Sequence, residues 1–350
     1  MGDEFGDDES FWEGVDVDAL VANSLSQPNH ATSSPYFATT AASTAPAPRP
    51  DHFAPEAEVE RRYAAIPGSI RTELLPHQVE GVKFMLRCGG RALLADAMGL
   101  GKSLQAIAAA SAYRDEWPLL VVCPAGLRGN WKAEFTRWLP PAWLAPTASG
   151  NPFAPPTKGS GKRKRKDDAG AAMRLVETAS DLEQSFAPIT LVSYDLIAKA
   201  GGSDQLDRVG VVICDESHAL KSRDTGRTKA LTPILAAAQR AMLLSGTPAL
   251  SRPAELFPQI HALRPELFPS WDRYVERYCG GQVDQWGGAA GSSNEAELRQ
   301  RLLSTLMIKR EKDLILRSLP PKCRHLHYLG PCSTLEAHWE TALRIASVAH

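Results

Sequence analysis

Three short clusters carry side chains whose types and spacing could do chemistry. The first is Asp96-Ala97-Met98-Gly99-Leu100-Gly101-Lys102-Ser103, which follows an apolar run and opens a segment of helical spacing. Glycines let a main chain close around an anion, and free N–H groups at a helix N-terminus attract it. In such a loop Lys102 would reach the outer oxygens of a polyphosphate, and the Ser103 hydroxyl would ligate Mg²⁺. The general phosphate-loop pattern wants glycine where this chain has Asp96. For this cluster alone, a plain glycine-rich turn between strand and helix is the competing reading.

In the second cluster, the apolar run Val211-Val212-Ile213-Cys214 leads into Asp215-Glu216-Ser217-His218. A carboxylate at the end of a strand beside a phosphate loop can hold Mg²⁺ through water, and the next carboxylate can orient and polarise an attacking water. Those roles fall to Asp215 and Glu216. His218 stands just past them, placed to couple nucleotide state to neighbouring segments; a helix-capping histidine is the plainer alternative. The third cluster, Ser245-Gly246-Thr247, ends the run Leu243-Leu244. Its hydroxyls could bond to the acidic site and relay its state, although a tight turn would look the same. Gln78, in Leu75-Pro76-His77-Gln78, adds an amide able to pair with both donor and acceptor on an adenine edge. A lone glutamine on a helix is more often a surface residue. The order Gln, Lys-Ser, Asp-Glu-x-His, Ser-Gly-Thr is more specific than any of its members, and ATP with Mg²⁺ is the ligand it fits.

Something must hold these clusters together. Arg91–Ala95, Leu119–Cys123, Ile189–Ser193, Val209–Cys214 and Ala241–Ser245 are short apolar runs expected to be strands. Helices are expected after Pro76, over Lys102 to about Tyr113, and near Trp131–Trp138. Short apolar strands separated by helices argue for an α/β fold with a parallel sheet covered on both faces. Beyond Arg264 the strands are expected to stop, with helices near Trp271–Cys279 and Glu295–Leu306. Cys323–Leu329 reads as a strand and Thr334–His350 as a helix. Residues 1–66 are expected to be a disordered tail, acidic at first and then rich in Ser, Thr and Pro. Residues 67–265 form the expected lobe, broken by a basic surface insertion at about 141–173, and residues 266–350 follow as a mostly helical region.

The net charge of −1 provides no global field for nucleic acid, so any such binding must be local. The first 48 residues contain no Lys or Arg, whereas Lys162 to Lys166 is an unbroken basic run. That run reads as a nuclear localisation signal, with contact to a DNA backbone or a solvated loop as alternatives. Residues 5–21 set Phe5, Phe11, Trp12 and Leu20 among acidic side chains, a pattern that often folds on a partner. The six cysteines show no CxxC spacing, so neither a zinc site nor a disulfide frame is expected. No apolar run has the length of a membrane span, and no membrane association is expected.

Taken together, these residues resemble the SWI/SNF family of helicase-like ATPases within helicase superfamily two. In that family Asp96 belongs to the phosphate-loop pattern. The resemblance continues through Trp117–Pro124, Asn130-Trp131, Val211–Ser222, Leu243–Pro265, Met307-Ile308-Lys309-Arg310 and Leu319–Lys322. Within the family the chain is most similar to the annealing helicases related to HARP, on Asp215–Leu220, Ser251–Leu256 and Gly291–Asn294. The resemblance implies a RecA-like ATP-binding lobe, a DNA-dependent ATPase, a track of double-stranded DNA at forks or single-strand/double-strand junctions, and a nuclear role in fork repair. For the acidic-aromatic tail it suggests a single-strand-binding protein as partner. A chromatin remodeller of the same family and a nucleotide-binding interaction module are the alternatives. The resemblance also implies a second RecA-like lobe that supplies an arginine finger. No such motif is identifiable in these residues, so by themselves they are expected to bind ATP and to hydrolyse it slowly.

Overall fold

Of the 350 residues, the structure, a computed structural model, describes 53–144, 172–183, 187–200, 206–248, 252–281, 289 and 291–315. The acidic-aromatic segment 5–21, the basic run Lys162–Lys166 and the expected elements at Cys323–Leu329 and Thr334–His350 lie outside the described residues. All of the described residues belong to one compact unit, Met1–Ile315.

Leu119–Cys123 and Ile189–Ser193 are runs of five wholly buried residues, rich in Val, Leu and Ile. Such runs cannot sit at a half-solvated face, so they fall in the middle of a covered sheet. The sheet has seven strands in the order β3-β4-β2-β5-β6-β1-β7, and every pairing is parallel. These are β1 (Arg91–Leu94), β2 (Leu119–Cys123), β3 (Met173–Leu175), β4 (Ile189–Ser193), β5 (Val211–Asp215), β6 (Arg240–Leu244) and β7 (Met307–Ile308). Alternate residues face opposite sides. Leu93, Leu120, Val122, Val212, Cys214 and Leu243 join one core, while Leu94, Leu119, Val121, Ile213, Met242 and Leu244 join the other.

The second core is covered by α1 (Glu56–Ala65), α2 (Pro76–Arg87), α3 (Lys102–Ser111) and α4 (Arg128–Trp138). The first is covered by α5 (Tyr194–Ala200), α6 (Gly226–Ala237), α7 (Phe257–Leu263), α8 (Trp271–Tyr278) and α9 (Glu295–Thr305). The α/β expectation is met, and α8 and α9 lie close to where helices were expected.

Three expectations need correction. Ordered structure begins well before residue 66. Helix α1 buries Val59, and Arg62 pairs with Asp115 at 2.7 Å and Glu116 at 2.9 Å while lying over the Tyr113 ring. The charged surface of this helix concealed its single apolar anchor. Second, strands do not stop at Arg264. Met307-Ile308 pairs with Leu93-Leu94 and becomes the edge strand beside β1. Third, Met173 belongs to β3, which pairs with β4 from Met173 onward, so the insertion ends before it.

Arg91 sits 3% exposed at the start of β1 and ties together two helices of the layer on that side. Its guanidinium donates to Leu235 O and Ala238 O at the end of α6, and to Ala262 O and Leu263 O at the end of α7. Helix ends leave carbonyls without intrahelical partners, and a buried carbonyl left unsatisfied costs about 1–3 kcal/mol. Arg91→Met should therefore lower the unfolding free energy by at least about 3 kcal/mol, read as a lower urea midpoint at unchanged slope. A loss below about 0.5 kcal/mol would show that these carbonyls find other donors.

Candidate nucleotide site

The clusters singled out from the sequence converge at the C-terminal ends of β1, β5 and β6, where parallel α/β sheets bind ligands. The loop after β1 turns on Gly99 (φ 89°) and Gly101 (φ 75°), conformations that suit glycine and strain other residues. Gly101 is the cap of α3, and a β-carbon there would lie 2.2 Å from Gln78 Nε2. Lys102 folds its ammonium back into the loop and donates to Asp96 O at 2.7 Å and Ala97 O at 3.3 Å. Burial lowers its pKa, against the opposing pull of Glu216, Asp96 and Asp215. A part-buried cation resting on main-chain carbonyls is held ready for an anion that would compete for it. Ser103, the second residue of α3, is half-buried beside it, and the Met98 side chain is 71% exposed at the crest of the loop.

The Leu100 carbonyl anchors the loop from behind. Gln78 Nε2 and Gln105 Nε2 donate to it at 3.3 and 3.2 Å, and His77 Nε2 lies 3.2 Å away. Gln78 Oε1 also accepts from Leu75 N at 3.0 Å. The amide expected to read an adenine thus braces the phosphate loop and retains one uncommitted N–H. Asp96, named with the loop residues expected to bind nucleotide, turns its side chain into the protein. Its side chain is 0% exposed and is clamped by Arg310, with Nε 2.9 Å from Oδ1 and Nη2 2.5 Å from Oδ2, while Gln105 donates at 3.2 Å. The carboxylate supports the loop from the protein side, and only its main-chain oxygen faces Lys102.

At the end of β5, Asp215 Oδ2 accepts from the Trp131 indole N–H at 2.8 Å, and Oδ1 accepts from Glu216 N at 3.0 Å. Burial raises the Asp215 pKa, and the Trp131 bond works against it. The Tyr194 hydroxyl donates to the Asp215 carbonyl at 2.8 Å. Glu216 adopts φ 51°, ψ 51°, a left-handed conformation that is uncommon for a side chain of this size. That turn brings its carboxylate within 3.2 Å of His218 Nδ1, and the His218 bond lowers its pKa. The same Nδ1 lies 3.3 Å from Ser245 Oγ, which accepts from Thr247 N at 3.2 Å. Gly246 completes the bridge: a β-carbon there would stand 3.7 Å from Lys102 Nζ and 3.3 Å from Met98 Cγ. The histidine and the Ser-Gly-Thr turn therefore physically connect the acidic pair to the phosphate loop.

Oxygen donors suit Mg²⁺, and Ser103 with Asp215 supplies a hydroxyl and a carboxylate. The positive-φ glycines, the retracted Lys102 and this donor set fit a Mg²⁺-nucleotide. Sequence reasoning missed the roles of Trp131, Tyr194, Gln105, Gln259 and Arg310. Trp131 and Arg310 carried a signal as parts of matched motifs, and Gln105 stood out as a polar residue in the Ala-rich helix α3. Gln259 accepts from Ser217 Oγ at 2.8 Å and donates to Pro248 O at 2.7 Å, tying the second and third clusters together.

Trp131→Phe keeps a ring against Phe135 and removes the donor to Asp215. Partners behind a metal-binding carboxylate typically contribute 10–100-fold to affinity. The Mg²⁺ concentration that half-saturates nucleotide binding should rise about tenfold in this variant. An unchanged Mg²⁺ requirement would show that Asp215 is oriented without the indole.

The pattern of the SNF2-related domain matches residues 77–349. The chain is 39% identical over 296 residues to the DNA annealing helicase and endonuclease ZRANB3 of Mus musculus, covering 81% of this chain and 25% of that protein. It is 40% identical over 298 residues to the SWI/SNF-related matrix-associated actin-dependent regulator of chromatin subfamily A-like protein 1 of Xenopus laevis, covering 82% of this chain and 28% of that protein. The chain thus spans about a quarter of the length of these relatives. The Sulfolobus solfataricus SWI2/SNF2 ATPase core in complex with dsDNA aligns with a TM-score of 0.51 at 23% identity, over 73% of this chain and 48% of that one. That likeness bears on the fold, and it agrees with a RecA-like lobe. By sequence and by the arrangement of its motifs, the chain belongs to the SNF2-related domain family.

Proposed function

We propose that this lobe binds ATP with Mg²⁺, and that the protein it serves is a DNA-dependent ATPase which moves on DNA to anneal or remodel forks and strand junctions. The observation that carries the proposal is the unbroken chain from Lys102 past Gly246 and Ser245 to His218, Glu216 and Asp215. Lys102 would release its two carbonyl partners and neutralise the outer phosphates. Ser103 and Asp215 would hold Mg²⁺, which when bound offsets phosphate charge as bonds rearrange. Glu216 would accept a hydrogen bond from the attacking water and orient it, with His218 fixing the carboxylate. His218 and Ser245 would carry a change at Glu216 to the turn after β6. The names of the relatives speak for annealing activity, and the double-stranded DNA in the aligned structure speaks for the track. A name that includes regulation of chromatin favours chromatin remodelling as the second reading.

Nuclear localisation through Lys162–Lys166 and docking of residues 5–21 on a single-strand-binding protein complete the proposal, and both rest on the sequence alone.

Lys102→Ala should weaken Mg·ATP binding to this lobe, whereas Glu216→Gln should retain it because the amide still fills the site. In the protein carrying both lobes, forked DNA should stimulate hydrolysis more than blunt duplex, single strands or nucleosomes, and Glu216→Gln should stop turnover. Wild-type turnover by Glu216→Gln would remove Glu216 from the water-orienting role. Stronger stimulation by nucleosomes than by forks would favour the chromatin reading.

A further inference from the structure

The segment after β7 contributes more to the phosphate loop than its clamp on Asp96. Ala95 N donates to Ile308 O at 2.7 Å, and Ala97 N donates to Arg310 O at 3.0 Å. The main chain of Ile308–Arg310 therefore runs alongside the rising loop, bonded at every second residue. Three cations lie in the next few positions, and two are already compensated. Lys309 pairs with Glu311 at 3.0 Å, and Arg310 pairs with Asp96. Lys312 is exposed and enters no ion pair among the described residues. Its Nζ lies 3.7 Å, and its Cε 4.0 Å, from the point a β-carbon on Gly99 would occupy. Gly99 is at the crest of the loop, and the Ser245-Gly246 turn packs against neighbouring Met98. The crest thus has Gly246 close to Met98 and, close to Gly99, an ammonium that forms no ion pair among the described residues.

We propose that Lys312 is a second phosphate-binding cation, reaching the nucleotide's polyphosphate from outside the loop crest while Lys102 reaches it from within. The inference rests on the nucleotide-binding role proposed for this loop and extends it to a residue outside the phosphate-loop motif. A cation uses this position well, because Gly99 has no side chain to separate the ammonium from the main-chain N–H groups that would cradle an anion. Glycine is also required there by φ 89°, so the opening on that side is built into the turn. Lys312 follows Arg310 by two residues, so the clamp that holds Asp96 also sets where Lys312 sits. An exposed cation of this kind attracts charge rather than shape. Its contribution should therefore grow with the number of phosphates and fade with salt.

The test is equilibrium binding of ATP, ADP and AMP, each with Mg²⁺, to the wild-type chain, Lys312→Met and Lys312→Arg, at low and high salt. The Met variant keeps the length and loses the charge. It should bind ATP roughly 3- to 10-fold more weakly, ADP less so, and AMP as the wild type does. The Arg variant should recover most of the loss, and high salt should shrink the difference. Unchanged binding of all three nucleotides by Lys312→Met would overturn the proposal. An equal loss for all three would also overturn it, because that is the signature of a support for the loop rather than a phosphate contact. If wild-type and Lys102→Ala chains alike bound no Mg·ATP, the nucleotide reading itself would fail, and the Lys312 proposal with it.

Discussion

A carboxylate with no solvent exposure stands at the mouth of the sheet, and the site depends on how its charge is compensated. Asp96 lies two residues past β1, at the start of the phosphate loop, and Arg310 meets it with two nitrogen atoms. Removing both charges from water costs several kcal/mol per ion, recovered only with good geometry and further hydrogen bonds. Arg310 has those bonds. It also donates to Gln105 Oε1 at 2.9 Å and to the His77 carbonyl. One guanidinium therefore joins β1, α2, α3 and the segment after β7. The packing leaves no slack: a β-carbon on Gly81 of α2 would fall 1.9 Å from Gln105 Oε1 and 2.6 Å from Arg310 Nη2. The segment after β7 is therefore structural support for the phosphate loop.

The spatial order of strands explains the rest of the geometry. β6 lies between β5 and β1, so the turn after β6 must pass between the acidic pair and the phosphate loop. Only a small residue fits against Lys102 and Met98 there, and the chain has Gly246. On the other side of β5, β2 leads into α4 and presents Trp131 to Asp215. The acidic pair is thus held from both neighbours, by an indole from one and by Ser245 through His218 from the other. A displacement of α4, or of the turn after β6, has a short hydrogen-bonded route to the residues assigned to metal and water.

The parts legible in the sequence were those whose physics is local. Leu119–Cys123 and Ile189–Ser193 were read with their observed limits because strands covered on both faces are continuous apolar runs. Lys102, Asp215, Glu216, His218 and Ser245 were found because each motif sits at a strand end, and strand ends meet in a parallel sheet. What was missed depended on distant partners. Arg310 lies 214 residues from Asp96, and no local pattern reveals that pairing. Gln78 was singled out for its amide, but its bond to the Leu100 carbonyl, 22 residues away, has no local pattern to announce it. β3 and β7, of three and two residues, are too short to show a period, and α1 is fastened largely by ion pairs to Asp115 and Glu116.

The Asp96–Arg310 pair acts as one unit to shape the phosphate loop. A double-mutant cycle on Asp96→Asn and Arg310→Met, read as Mg·ATP affinity alongside urea unfolding, tests it most directly. Either single substitution leaves one buried charge without its counter-charge, whereas the double removes both charges. Both singles should lose affinity, and the double should lose less than their sum, with a coupling of at least about 1 kcal/mol. Losses that simply add would mean that Asp96 and Arg310 support the loop independently, which would contradict the account.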